Sequence, residues 1–125
     1  MERQKPHKKL ALWGKIIDLV VFLYDVTKPF PREEEFGLKA QIRRAGVSVP
    51  SNVSEGLTRK TTKDKAHFLN IAQSSLSEID AQIEVSGRLG FISRQIEVEA
   101  NERLSTVEMM LSGLIRSVNQ RTYHK

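Results

Sequence analysis

The sequence predicts an all-α protein, an up-down-up-down antiparallel four-helix bundle with a proline-kinked second helix. Three observations lead there. Apolar residues recur every three or four positions through four long segments, the connections between those segments are short, and no stretch shows the alternation of a half-buried strand. A chain of 125 residues has room for one ordinary domain, so residues 1–125 read as a single bundle. Residues 1–8 and 122–125 are expected to be flexible.

The first segment runs from about Leu10 to Thr27. Trp13, Ile16, Ile17, Val20, Leu23 and Tyr24 keep helical spacing. Leu19, Val21, Phe22 and Val26 widen the stripe, which implies burial on more than one side. Val20 and Val21 would suit a strand, but the run is too long for one. Pro29 and Pro31 end the helix, because residues before proline are pushed out of the α region. Pro31 also suits the first turn of a second helix, with Glu33, Glu34 and Glu35 near its positive end. Leu38, Ile42, Ala45, Val49, Asn52 or Val53, and Gly56 then hold one helical phase to about Lys60. Pro50 interrupts the bonding of that helix and crowds the carbonyl of Gly46, where glycine leaves room for a bend.

Thr61-Thr62-Lys63-Asp64 has the form of a capping box and opens a third helix. Its seam is Leu69, Ala72, Leu76, Ile79, Ile83 and Ser86, and it stops at Gly87 and Gly90. Ser93 suits the cap of a fourth helix with the seam Ile96, Ala100, Leu104, Val107, Leu111, Leu114 and Val118. That seam is the strongest periodic signal in the chain.

Hydrophobic residues make up 39% and charged residues 28%, with only seven Gly and four Pro, which excludes collagen-like and disordered classes. The absence of cysteine excludes disulfides, thiol catalysis and thiolate metal sites. The longest apolar run, Ile16 to Tyr24, contains Asp18 and falls short of the ~20 residues that span a bilayer. The basic stretch Met1 to Lys9 leads into no apolar signal segment, so a cytoplasmic location and no membrane contact are expected. Enzyme motifs fail in turn. There is no Glu-x-x-His pair for a di-iron bundle, only Asp64-x-x-His67, and His7 and His124 lie near the ends. No phosphate loop or dinucleotide fingerprint occurs, and no serine can be assigned a sheltered histidine. Asn52-Val53-Ser54 matches a glycosylation sequon by chance. No catalytic residue, metal or cofactor is expected.

Charge is more informative. Twenty Lys and Arg face fifteen acids, a net charge of +5. In the predicted bundle one pole collects residues 1–15, 55–67 and 113–125, which hold twelve bases against three acids, a net of +9. The nucleic-acid-binding candidates there are Lys8, Lys9, Arg59, Lys60, Lys63, Lys65, Arg116 and Arg121. Bases in last turns, such as Arg59, Lys60 and Arg121, already suit the helix dipole. Lys8, Lys9, Lys63 and Lys65 sit at helix starts, where the dipole has the wrong sign for them. That asymmetry favours a polyanion held through its phosphates. Only Tyr123 and Trp13 are near enough to stack, so base readout is not expected. A polar row, Arg44, Ser48, Ser51, Glu55 and Arg59, follows one side of the second helix. It suits a solvated face, or a close approach by a neighbouring helix or subunit. Asn52 lies beside the apolar seam, where a buried amide would need partners and could set register.

The run Gln41-Ile42-Arg43-Arg44-Ala45-Gly46-Val47-Ser48-Val49-Pro50-Ser51-Asn52-Val53-Ser54-Glu55-Gly56 resembles the hallmark of the four-helix-bundle family encoded in 23S ribosomal RNA intervening sequences. The flanks agree: His7-Lys8-Lys9-Leu10-x-x-Trp13, Phe68-Leu69-Asn70-Ile71-Ala72-Gln73-Ser74-Ser75-Leu76-Ser77-Glu78, and Met110-Leu111-Ser112-Gly113-Leu114-Ile115. The resemblance covers nearly the whole chain. Gly46 and Ser54 stand where the family more often has Ala. The resemblance marks Arg43, Arg44, Pro50, Ser51, Asn52, Glu55 and Gly56 as motif or interface residues. It implies an all-α bundle that assembles as a ring-like homopentamer, with no known enzymatic activity. The chain is also similar to the accessory proteins of diversity-generating retroelements, whose basic pentamers bind a reverse transcriptase and nucleic acid.

Two functions follow as expectations. One is a non-enzymatic accessory ribonucleoprotein component that binds the RNA or DNA backbone. The other is a structural adaptor oligomer whose main partner is a protein, such as a reverse transcriptase. Oligomerisation has its own sequence signal in the wide stripe of the first helix and in Phe68, Ile71, Val85 and Leu89 on the third. These exceed what a monomeric bundle needs for one seam per helix.

Overall fold

Each helix in this chain has one main aliphatic row, and these rows can leave water together only by facing a common axis. The computed structural model describes residues 10–123 and has that arrangement. It contains α1 (Ala11–Thr27), a 3-10 turn (Arg32–Glu34), α2 (Leu38–Thr58), α3 (Thr62–Arg88) and α4 (Arg94–Tyr123), with no strand among the described residues. Consecutive helices pack on one another and α4 closes on α1, while among the described residues no diagonal pair brings its backbones equally close. The shared core comprises Ile16, Leu19 and Leu23, then Ile42, Val49 and Val53, then Leu69, Leu76, Ile79 and Ile83, then Leu104 and Leu111. All are fully buried. Phe30 and Phe91, from the two loops at one end, meet at a tilt of 54° with ring centres 5.4 Å apart and close that pole.

The helix boundaries follow local chemistry. Thr61 Oγ1 accepts the Asp64 N–H at 3.1 Å, and Ser93 Oγ accepts the Ile96 N–H at 3.1 Å. Gly90 takes a φ of +80°, which lets the Phe91 N–H reach Ser86 O at 2.9 Å and end α3. Of the ends expected to be loose, Thr122 and Tyr123 complete α4, and the others lie outside the described residues.

One boundary differs from the sequence reading. The second helix does not begin at Pro31, which instead opens the 3-10 turn; α2 starts at Leu38. Glu34 caps it from outside, its Oε1 accepting the Leu38 N–H at 2.9 Å. Gly37 makes this possible, since a Cβ there would stand 2.7 Å from the same carboxylate oxygen. Its backbone (φ −105°, ψ −116°) lies outside the helical well and resets the axis, which residue periodicity does not register.

Beyond that point α2 is a single helix through Pro50. Gly46 in its middle is buried against α1, where a Cβ would lie 3.2 Å from Leu23 Cδ1. Arg43 ties the same two helices together at the acidic pole. Its Nε donates to Thr27 Oγ1 at 3.0 Å, its Nη2 donates to Tyr24 O at 2.9 Å, and the guanidinium lies 4.5 Å from the Tyr24 ring centre. Thr27 is itself buried and donates to Leu23 O at 2.7 Å. One arginine thus satisfies the end of α1 and fixes the entry of α2.

Two outcomes test this reading. Gly46→Val should lower the urea-unfolding free energy by about 1–3 kcal/mol, because the added methyls meet Leu23 in a packed core. Arg43→Lys keeps the charge but loses the fork, and should cost about 1–2 kcal/mol in the same assay. Equal stability of Arg43→Lys and wild type would show that the fork is not needed.

Candidate nucleic-acid interface

The α2–α3 connection is only three residues long, so the last turn of α2 and the first turn of α3 meet at one pole, with the final turns of α4 alongside. Lys60, Lys63 and Arg116 are exposed there and make no ion pair among the described residues. Arg59 is also exposed, yet it is engaged within the chain. It pairs with Glu55, and its guanidinium lies 4.7 Å from the centre of the Phe68 ring. Lys65 corrects the dipole argument. Its Nζ donates to Leu57 O at 3.3 Å, so this lysine at the start of α3 neutralises the negative end of α2. Arg121 lies in the last turns of α4 with its side chain outside the described residues, and Lys8 and Lys9 lie outside them altogether.

The chemistry available at this pole is therefore charge contact. Lys60, Lys63 and Arg116 can neutralise phosphates without first breaking an internal pair. Stacking is not on offer from Phe68, which Arg59 covers. The opposite pole is acidic and internally paired: Lys39 to Glu35 at 2.9 Å, Arg88 to Glu84 at 3.5 Å and Arg94 to Glu97 at 3.7 Å. The Lys39 hydrogen bond holds the Glu35 carboxyl below its ordinary range, with the charges of Lys39 and Arg43 adding to it. Away from both poles, burial pushes the Glu108 carboxyl up, and the Asp80 charge adds to that.

The hallmark residues divide between inside and outside. Asn52 Nδ2 donates to Ser48 O at 2.8 Å and to Ser48 Oγ at 3.0 Å, and Ser75 Oγ of α3 donates to Ser48 Oγ at 2.9 Å. Gly56 is buried where a Cβ would stand 3.1 Å from Lys65 O and 3.2 Å from Phe68 Cβ. Ser48 and Gly56 thus lie where α2 packs on α3, while the Asn52 bonds stay within α2. Pro50 is half-buried, and Arg44, Ser51 and Glu55 are exposed. Arg44 borders a groove of about 250 Å³ with Gln41, Ser48, Ser75 and Glu78. Ser75 completes the hydroxyl link, and spacing within α3 does not single it out, because its partner Ser48 belongs to another helix.

A second groove, about 330 Å³ between α1 and α4, mixes Lys15 and Arg103 with Asp18, Glu99 and Glu102, so it does not favour an anion. Among the described residues no trio of His, Asp or Glu is placed to share a metal ion. None of the described helices is long and apolar enough to cross a membrane.

The fold has a solved counterpart. The crystal structure of a protein with unknown function from the S23 ribosomal protein family of Bacteroides thetaiotaomicron matches with a TM-score of 0.77 at 23% identity, covering 84% of this chain and 95% of that one. At that identity the likeness speaks for the fold. No curated protein matches the chain. The family described as 23S rRNA-intervening sequence protein matches residues 8–113, a span that contains the hallmark run with the whole of α1, α2 and α3. The chain belongs to the 23S rRNA-intervening sequence protein family.

Proposed function

We propose that this protein is a non-enzymatic, cytoplasmic, homo-oligomeric component that binds RNA or DNA through the phosphate backbone at its basic pole. The observation that carries the reading is the set of cations at that pole that remain after internal needs are met. Arg59 and Lys65 are engaged within the chain, whereas Lys60, Lys63 and Arg116 have no acidic partner among the described residues. If subunits stand side by side with poles aligned, these cations add into one basic rim, and a pentamer is the count the family resemblance favours.

A second reading draws on the apolar surface that an oligomer would also use. Ile17, Val21, Val85 and Leu89 are exposed apolar residues, which suit a protein contact. In that reading the protein is an adaptor, with a reverse transcriptase as one candidate partner.

Salt dependence separates the two. Backbone binding should weaken with a log–log slope of about −0.7 per phosphate contact on single strands. Replacing Lys60, Lys63 and Arg116 with Glu should lower affinity at moderate salt by about tenfold or more and flatten the slope. Reversing Lys28, Arg32 and Arg94 near the opposite pole should leave binding unchanged. Both variants must retain the helix content and mass of the wild type. Equal binding by all three proteins, or no binding at low salt, would leave the pole as a solvated surface and favour the adaptor.

A further inference from the structure

Two apolar flanks remain uncovered on the described surface. The first lies between α1 and α2. Ile17, Val21 and Tyr24 form one row on α1, turned from its buried row towards α2, where Arg43 rests on the Tyr24 ring. At the end of this flank, in the α1–α2 connection, Phe36 is 94% exposed. A fully solvated phenyl ring held between Glu35 and Gly37 contributes nothing to the packing of its own chain. The second flank lies on α3, where Ile71, Glu78, Val85 and Leu89 face away from the buried row and towards the α2 side. Around Val85 and Leu89 it forms a mainly apolar groove of about 440 Å³, roomy enough for a phenyl ring.

The two flanks match level by level. Leu23 faces Gly46, and Ser48 bonds Ser75, which fixes the heights of α1, α2 and α3 against one another. At 1.5 Å per residue, Ile17 then lies level with Ile71, and Tyr24 and Arg43 lie near the level of Glu78; Phe36, in the turn just before α2, lies at the same end of the bundle as Val85 and Leu89. Charges complement as well as apolar groups: the acid Glu33 sits beside the Phe36 loop on one flank and the base Arg88 beside Leu89 on the other.

We propose that the α1–α2 flank of one copy docks on the α3 flank of the next, with poles aligned and Phe36 inserted between Val85 and Leu89. The contact is head-to-tail, because the two flanks differ. They lie on different sides of the bundle, so one copy can use both at once and the contact can repeat from copy to copy. The inference rests on the homo-oligomeric part of the proposed function and assigns the surface that builds it.

The chain has no cysteine, which makes cross-linking specific. A protein carrying both Glu33→Cys and Arg88→Cys, treated with a short bismaleimide, should form a ladder beyond dimers, while each single variant should form none. Phe36→Ser and Leu89→Ser should each weaken assembly by about tenfold or more in light scattering, while Met109→Ser, an exposed apolar residue on α4, should not. An oligomeric wild type with no ladder, or with Phe36→Ser assembling normally, overturns this interface and leaves the oligomer intact. A 14 kDa wild-type particle overturns both.

Discussion

Gly56 lets α2 come so close to α3 that a side chain there would press on the Lys65 carbonyl, and several features of the molecule follow from that approach. The Ser48–Ser75 hydroxyl link and the Asn52 amide lie along the same contact and satisfy the polar groups it buries. With the two helices this near, Lys65 can reach the open carbonyl of Leu57, and Arg59 can lie across Phe68. A three-residue connection then suffices, and it gathers Lys60 and Lys63 at a narrow end of the bundle. The run from Gln41 to Gly56 is, in its buried half, a device for helix packing, and the placing of Lys60 and Lys63 follows from it.

Electrostatics divides the cations of the chain into two groups. Arg43 and Lys65 each satisfy a helix end belonging to a neighbouring helix, α1 and α2 respectively. Their hydrogen bonds to backbone oxygens are charge-assisted, so they hold tertiary geometry rather than await a ligand. Lys60, Lys63 and Arg116 have no such task. A net charge of +5 says little about which cations are free, and the hydrogen-bond pattern separates them. Exposed pairs such as Arg88–Glu84 add little stability, but they keep the acidic pole from attracting a polyanion.

Much of the fold was legible in the sequence because the relevant signals are local. Periodicity identifies the seam of α4 and the core rows of α1 and α3, while Thr61, Ser93 and Gly90 punctuate the chain by their own backbone chemistry. The start of α2 was misread because Gly37 changes the axis without breaking the apolar phase. Gly46 was legible as a place needing room, but the group that occupies the room is Leu23, from another helix. Lys65 was misread for the same reason, since its partner carbonyl belongs to α2 and no spacing within α3 reveals it. Of the candidate site, the sequence placed the bases at one pole, while which of them are engaged depends on contacts between helices.

The central claim is that the buried half of the hallmark run packs α2 on α3, and it can be tested by comparing two substitutions within that run. Gly56→Val should lower the urea-unfolding free energy by about 1–3 kcal/mol through overpacking against Lys65 and Phe68, while Ser51→Ala, at an exposed position, should stay within about 0.5 kcal/mol of wild type. If Gly56→Val is as stable as Ser51→Ala, the close approach of α2 and α3 is not what the motif maintains.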